Sequence, residues 1–168
     1  MEIREVRPEE YEEAGRVTAL AYREFAPPDD PDWEEYLGEI ADVAGRAGLT
    51  TVLVAMEDGR ILGSATVELD NKVPESDPER VLEPGEAHLR MLGVDPAARN
   101  HGAGRALVEA SVELARGRGK KVFRLTTTRM MEVARGMYER MGFQATPERD
   151  RHFESGLVLY AYEYPLET

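Results

Sequence analysis

The chain has 168 residues, 42% of them hydrophobic, enough to bury one core in a single domain covering residues 1–168. It has no cysteine, which excludes a thiol nucleophile, a Cys-based zinc site and disulfides. It also lacks a run of eighteen apolar residues and a basic-then-apolar start, so no membrane partner is expected and a cytoplasmic protein is. A formal net charge of −12 argues against nucleic acid as a partner.

That charge is concentrated. Residues 24–42 carry eight acids and no Lys or Arg, and residues 70–86 carry six acids against Lys72 and Arg80. As solvated loops these segments need no function; as an electrostatic funnel they would draw in a cation.

Residues 2–7 alternate as a short strand. Pro8-Glu9-Glu10 then opens an amphipathic helix with Tyr11, Ala14, Val17 and Ala21 at helical spacing, ending before Pro27-Pro28. A second helix is expected over 32–46, with Trp33, Tyr36, Leu37, Ile40 and Val43 as its buried stripe, Trp33 being read as core. Two β-rich runs, 49–56 and 61–69, flank Glu57-Asp58-Gly59-Arg60, whose Asp-Gly pair is a hairpin signal. Residues 70–86, rich in proline and charge, read as a long surface loop. A strand over 88–94 leads through a Gly-rich turn into a helix over 102–116, stopped by Gly117-Arg118-Gly119. The rest reads as a strand over 122–127, a helix over 130–141 closed at Gly142, and strands over 144–152 and 157–164.

The expected fold class is mixed α/β: a mostly antiparallel sheet of about seven strands, flanked by about four helices. The central strand–turn–helix–strand crossover makes one parallel pair within that sheet. Where those two strands splay, a linear ligand can insert.

The turn Arg99-Asn100-His101-Gly102-Ala103-Gly104 is the main functional signal, because glycines admit an anion close to the backbone and a helix's first turn offers unsatisfied N–H donors. It can also be a simple Gly-rich cap. A Walker A loop is excluded, since no Gly-Lys-Ser/Thr follows. A dinucleotide fingerprint is disfavoured by Leu107 at the third glycine position and Arg124 where an acid is needed.

Leu89-Arg90-Met91-Leu92-Gly93-Val94-Asp95-Pro96, followed by Arg99-x-x-Gly102-x-Gly104-Arg105-Ala106-Leu107, resembles the acetyl-CoA signature of the GNAT acetyltransferase superfamily. Ala134-Arg135-Gly136-Met137-Tyr138-Glu139-Arg140-Met141-Gly142-Phe143 is similar to that family's A-x-x-x-Y-x-x-x-G-F helix. The resemblance covers nearly the whole chain. It implies acetyl-CoA as co-substrate, no metal, and direct transfer to a small-molecule or protein amine in a ternary complex, with the enzyme a monomer or homodimer. Read with the acidic segments, it suggests a cationic primary amine.

Amide transfer needs a neutral amine, a stabilised oxyanion and a proton for the departing thiolate, whereas an alkyl amine ordinarily titrates near about 10.4 and a thiol near about 8.5. By the resemblance, the main chain of Leu92, Gly93 and Val94 pairs with the pantetheine arm, and an N–H near Leu92 receives the oxyanion. Arg99, Asn100, His101, Gly102, Ala103, Gly104 and Arg105 hold the pyrophosphate. Tyr138, which helical spacing alone reads as a core aromatic, becomes the general acid. His88 becomes the base, with Glu86 on the same strand face as the second candidate. Gly93 by itself reads as a bulge, a close approach or a packing glycine. His152 lies too far along the chain to place. Met131 stands where the family commonly carries a cofactor-contacting asparagine. The alternatives are a non-catalytic acyl-CoA sensor or partner-binding module, and a nucleotide-binding α/β protein.

Overall fold

The hairpin signal at Asp58-Gly59 is realised as read: both residues take positive φ (51° and 75°) and join two long antiparallel strands. The structure, a computed structural model, describes residues 1–27, 29–73, 81–128, 131–154 and 156–166. In chain order its elements are β1 (Glu2–Glu5), α1 (Tyr11–Arg23), α2 (Pro31–Ala41), α3 (Val43–Ala47), β2 (Thr51–Glu57), β3 (Arg60–Glu68) and β4 (Glu86–Val94). They continue with α4 (Ala103–Gly117), β5 (Val122–Thr128), α5 (Glu132–Arg140), β6 (Gln144–Ala145), β7 (Arg151–His152) and β8 (Val158–Pro165). The sheet runs β1-β2-β3-β4-β5-β8-β6, with β7 also on β8, and among the described residues only β4 and β5 pair in parallel.

Among the described residues, eight strands and five α-helices replace the expected seven and four, for local reasons. The helix expected over 32–46 divides at Asp42, which leaves helical geometry (φ −84°, ψ 68°) and caps the next helix by accepting from Gly45 N. The strand expected over 144–152 is interrupted by Pro147, which opens a 3₁₀ turn between β6 and β7. The long loop's residues 74–80, and Met130, lie outside the described residues.

The sheet has two differently dressed faces. On one, α4, α5 and the turn after α5 pack through Leu107, Val108, Tyr138 and Phe143 onto Val67, Leu89, Phe123 and Leu125. Each fully buried large apolar side chain there contributes about 1.5–3 kcal/mol. On the other, Ala14 and Val17 of α1 cover Val52 and Val54. Beyond α1, the strand alternation puts Glu68, Glu86, His88, Arg90, Arg124 and Glu163 on that second face. One face therefore buries apolar residues throughout, and the other turns polar towards the middle of the sheet.

Candidate active site

β4 and β5 pair only at Glu86↔Val122, Ala87↔Phe123 and His88↔Arg124. Past His88 they part, β5 staying with β8 as far as Thr128 while β4 stays with β3. The edge of β4 from Leu89 to Val94 thus has no partner strand among the described residues. The gap opens into a cleft of about 460 Å³, a size suited to a small ligand, lined by both sheet strands, α5 and the aromatic residues of α1 and α2.

A bulge lies at the mouth of the gap. Between Thr66 and Ser64 the β3 register advances two residues while β4 advances three, from Arg90 to Gly93, and Met91 takes φ 51°. Met91 and Leu92 have no Cα partner on β3, which frees main-chain groups beside the cleft. Gly93 is not the bulge. A Cβ there would meet Ala21 Cβ and Thr18 Cγ2 at 3.1 Å, so it is a packing glycine that lets α1 close onto the strand.

The Gly-rich turn lies at the N-terminus of α4, where Gly102 is the N-cap in left-handed geometry (φ 82°) and no side chain caps the helix. Ala106 N bonds Gly102 O, leaving the N–H groups of Ala103, Gly104 and Arg105 without an intrahelical acceptor. A Cβ at Gly102 would meet nothing within 4 Å, so the turn's crest has room for an anion. Asn100 (φ 67°) and His101 are exposed on that crest, Ala103 is buried, and Gly104 lies against Val94 and Met137. Arg99 is paired with Glu24 at 2.8 Å and Arg105 with Glu109 at 2.9 Å. Both are surface pairs worth about 0–1 kcal/mol, weak enough to yield to a doubly charged phosphate group.

Tyr138 is held by the end of its own helix. Gly142 (φ 100°) turns the chain so that Phe143 N donates to Tyr138 O and Gly142 N to Glu139 O, a Schellman closure that drops Phe143 beneath Tyr138. The two rings lie 5.6 Å apart and Phe143 meets Phe123 edge-on and Tyr164 at a tilt, so the G-F pair positions the tyrosine mechanically. Tyr138 is buried yet lines the cleft, and burial alone pushes its phenol well above the usual value, keeping it protonated. The hydroxyls of Thr127 and Thr128, on the β5 side, are buried without a hydrogen-bond partner among the described residues, as expected of a wall that meets a polar ligand.

His88 and Glu86, alternatives by sequence, form one unit. Glu86 Oε2 lies 3.0 Å from His88 Nε2, and Glu86 is itself 4% exposed. A carboxylate only accepts, so Nε2 carries the proton and Nδ1 keeps its lone pair. Burial lowers the His88 pKa, and the bond and charge of Glu86 partly offset that fall. The ring is therefore neutral at pH 7, as a proton acceptor requires. Glu86 Oε1 faces Arg124 Nε at 3.4 Å and Arg149 Nη1 at 3.5 Å.

Sequence reasoning missed several cleft residues. Trp33, read as core, lines the cleft with Tyr36 and Tyr22, because α2 buries Leu37 and Ile40 one turn further on. Arg90, Arg124, Arg149 and Arg151 also line it. Strand alternation carries the signal for Arg90, two residues from His88, while Arg124 is visible only through the β4–β5 register. Among the described residues that line the cleft, Asp32 is the one carboxylate from the acidic segments. His152 lies exposed on β7, Met131 begins α5 as its N-cap and touches the cleft, and no group of three His, Cys, Asp or Glu among the described residues could hold a metal. No helix among them is long and apolar enough to cross a membrane.

Comparison with known proteins agrees with this architecture. A glucosamine 6-phosphate N-acetyltransferase of Trypanosoma brucei brucei is 33% identical over 112 residues, 65% of this chain and 69% of its own. A solved GNAT family acetyltransferase from Brucella melitensis, in complex with acetyl-CoA, is 31% identical with a TM-score of 0.61, covering 86% of this chain and 82% of its own. A PaiA N-acetyltransferase from Thermoplasma acidophilum, in complex with coenzyme A, shares the fold at 16% identity (TM-score 0.72, 97% and 98% covered). The family model described as "Acetyltransferase (GNAT) family" matches residues 9–143, and the chain belongs to that family of acetyltransferases.

Proposed function

We propose that the protein transfers the acetyl group of acetyl-CoA directly to a primary amine. The observation that carries this reading is the parted β4–β5 gap, with the uncapped amides of α4 near one end and the buried Tyr138 and the Glu86–His88 pair lining the same cleft. Acetyl-CoA supplies an activated thioester, and the residues present fit it. The Ala103, Gly104 and Arg105 amides receive the pyrophosphate, helped by Arg99 with Asn100 and His101 beside it, and the open edge at Leu92, Gly93 and Val94 pairs with an extended amide-bearing arm in the manner of an added strand.

The acceptor approaches from the opposite face, where α1 and α2 supply an aromatic wall. His88 Nδ1 takes the ammonium proton, directly or through water, while Glu86 fixes the tautomer and the ring. The bulge at Met91 and Leu92 offers a main-chain N–H to the developing oxyanion. Tyr138 supplies the proton to the departing sulfur. Although burial makes the phenol a weaker acid, the same dry surroundings penalise the thiolate, so the transfer is matched. The acceptor is a small molecule or a protein amino group, and the name of the trypanosomal relative makes glucosamine 6-phosphate one of the first compounds to assay.

The test follows acetyl transfer by mass spectrometry across an amine panel, with calorimetry of acetyl-CoA alongside. Amine-dependent acetyl product, with acetyl-CoA binding that weakens when the α4 N-terminus is altered, supports the reading. Acetyl-CoA binding without product on any amine points instead to a non-catalytic acyl-CoA sensor.

A further inference from the structure

Resting on that reading, we infer that the acceptor is a small amine that also carries an oxyanion, a phosphate or a carboxylate, seated on Arg149 with Arg124 behind it. The cleft is lined by Arg90, Arg124, Arg149 and Arg151 but by the single carboxylate Asp32 among the described residues, an unexpected charge for a chain of net −12. The neutralising acids lie beneath. Glu68 holds Arg90, Glu163 takes Arg124 Nη1 at 2.8 Å, and Glu86 is left to serve three neighbours.

That sharing is uneven. Oε2 of Glu86 is committed to His88, so Oε1 alone faces both Arg124 Nε and Arg149 Nη1, at 3.4 and 3.5 Å. A charge-assisted bond is normally about 2.7–2.9 Å, so neither guanidinium is satisfied by it. Arg149 is the more available: its side chain is 37% exposed, it stands on the 3₁₀ turn between β6 and β7, and Glu86 is its nearest carboxylate among the described residues. Asp150, its chain neighbour, is already occupied by Ala161 N. A planar fork of N–H donors held in this way suits an oxyanion.

The geometry also sets the acceptor's length. Arg149 Nη1 and His88 Nε2 face the two oxygens of the same carboxylate, so the anchor and the imidazole ring are separated by no more than that carboxylate and two contact lengths, the basic Nδ1 lying across the ring from Nε2. A compact amine can reach both, its charged end on Arg149 and its amine at His88.

The experiment compares matched amines with acetyl-CoA, reading thiol release: phosphoethanolamine against ethanolamine for the phosphate, and tyrosine against tyramine for the carboxylate. In at least one pair the anionic member is expected to show about tenfold or higher kcat/KM, the scale of one charge-assisted hydrogen bond. Arg149→Gln should raise the KM of that member about tenfold more than it raises that of its neutral partner, and Arg149→Lys should recover part of the loss. Equal use of both members in both pairs, or an unchanged KM in Arg149→Gln, overturns the inference while leaving acetyl transfer standing. If no amine is turned over, calorimetry of the same four compounds on the CoA-loaded protein decides. Binding of an anionic member that Arg149→Gln abolishes supports the anion seat at Arg149 independently of acetyl transfer, and absence of any preference overturns the inference.

Discussion

Replacing Glu86 by Gln tests how the candidate base is set. The carboxylate is 4% exposed, accepts from His88 at 3.0 Å and faces two guanidinium groups. A glutamine of the same shape keeps a neutral hydrogen bond, worth about 0.5–1.5 kcal/mol, in place of a charged one worth about 1.5–3. About 1 kcal/mol of ring positioning is lost, roughly five- to tenfold in kcat/KM at pH 8, where His88 is neutral in both proteins. The pH profile carries the sharper information. Burial lowers the His88 pKa, whereas the bond to Glu86 and its charge raise it and the charge of Arg149 lowers it. With the Glu86 charge gone, the lowering influences act with less opposition, so the acid limb of kcat/KM moves to lower pH. Stability follows the same linkage. Native His88 holds its proton less tightly than the unfolded chain, so its contribution is present above about pH 6.5 and is lost as pH falls through the folded pKa. The assay is thiol release from pH 5 to 9, on protein whose circular dichroism confirms folding at each point. An acid limb that stays in place or moves up, or that survives in His88→Gln, refutes the assignment of His88 as base.

Gly104→Asp should separate cofactor binding from folding. An acid in the first turn of α4 favours the helix by about 0.3–1 kcal/mol, so the melting temperature holds or rises, while coenzyme A affinity by calorimetry falls about tenfold or more. Arg99→Gln should weaken coenzyme A binding about three- to tenfold at low salt and flatten its salt dependence, because in the proposed complex Arg99 exchanges a weak surface pair with Glu24 for the phosphates. Gly93→Ala drives a methyl to 3.1 Å from Thr18 and Ala21. It should cost about 1–3 kcal/mol in denaturant unfolding, by pushing α1 off β4.

The sequence made legible whatever rests on local chemistry. Asp58-Gly59 marked its hairpin, Gly102 its helix start, and Gly142-Phe143 its helix end, because each needs a backbone geometry that few residue types adopt readily. The crossover order located the parted strands. Less legible was anything dependent on register. The positive φ at Met91 gives no composition signal, and among the bulge, close-approach and packing readings open for Gly93 the structure supports packing against α1. Trp33 shares the apolar spacing of Leu37 and Ile40, and periodicity cannot tell a core stripe from a cleft wall. Glu86 and His88 read as rivals because spacing shows a shared face but not that one holds the other. The acidic segments suggested a cation funnel from composition, and composition gave no sign of the arginines from β4, β5, β7 and the turn before β7 that line the cleft among the described residues.

In the proposed mechanism the β4–β5 gap carries out acetyl transfer with Tyr138 as proton donor to sulfur. The most direct test is amine-dependent thiol release from acetyl-CoA by the wild-type protein and Tyr138→Phe, with coenzyme A affinity measured on both. Removing the hydroxyl should lower kcat about 10²- to 10⁴-fold and leave affinity within a small factor. Full activity in Tyr138→Phe rules out the tyrosine as that donor, and no amine-dependent release by the wild type on any acceptor rules out acetyl transfer in the gap.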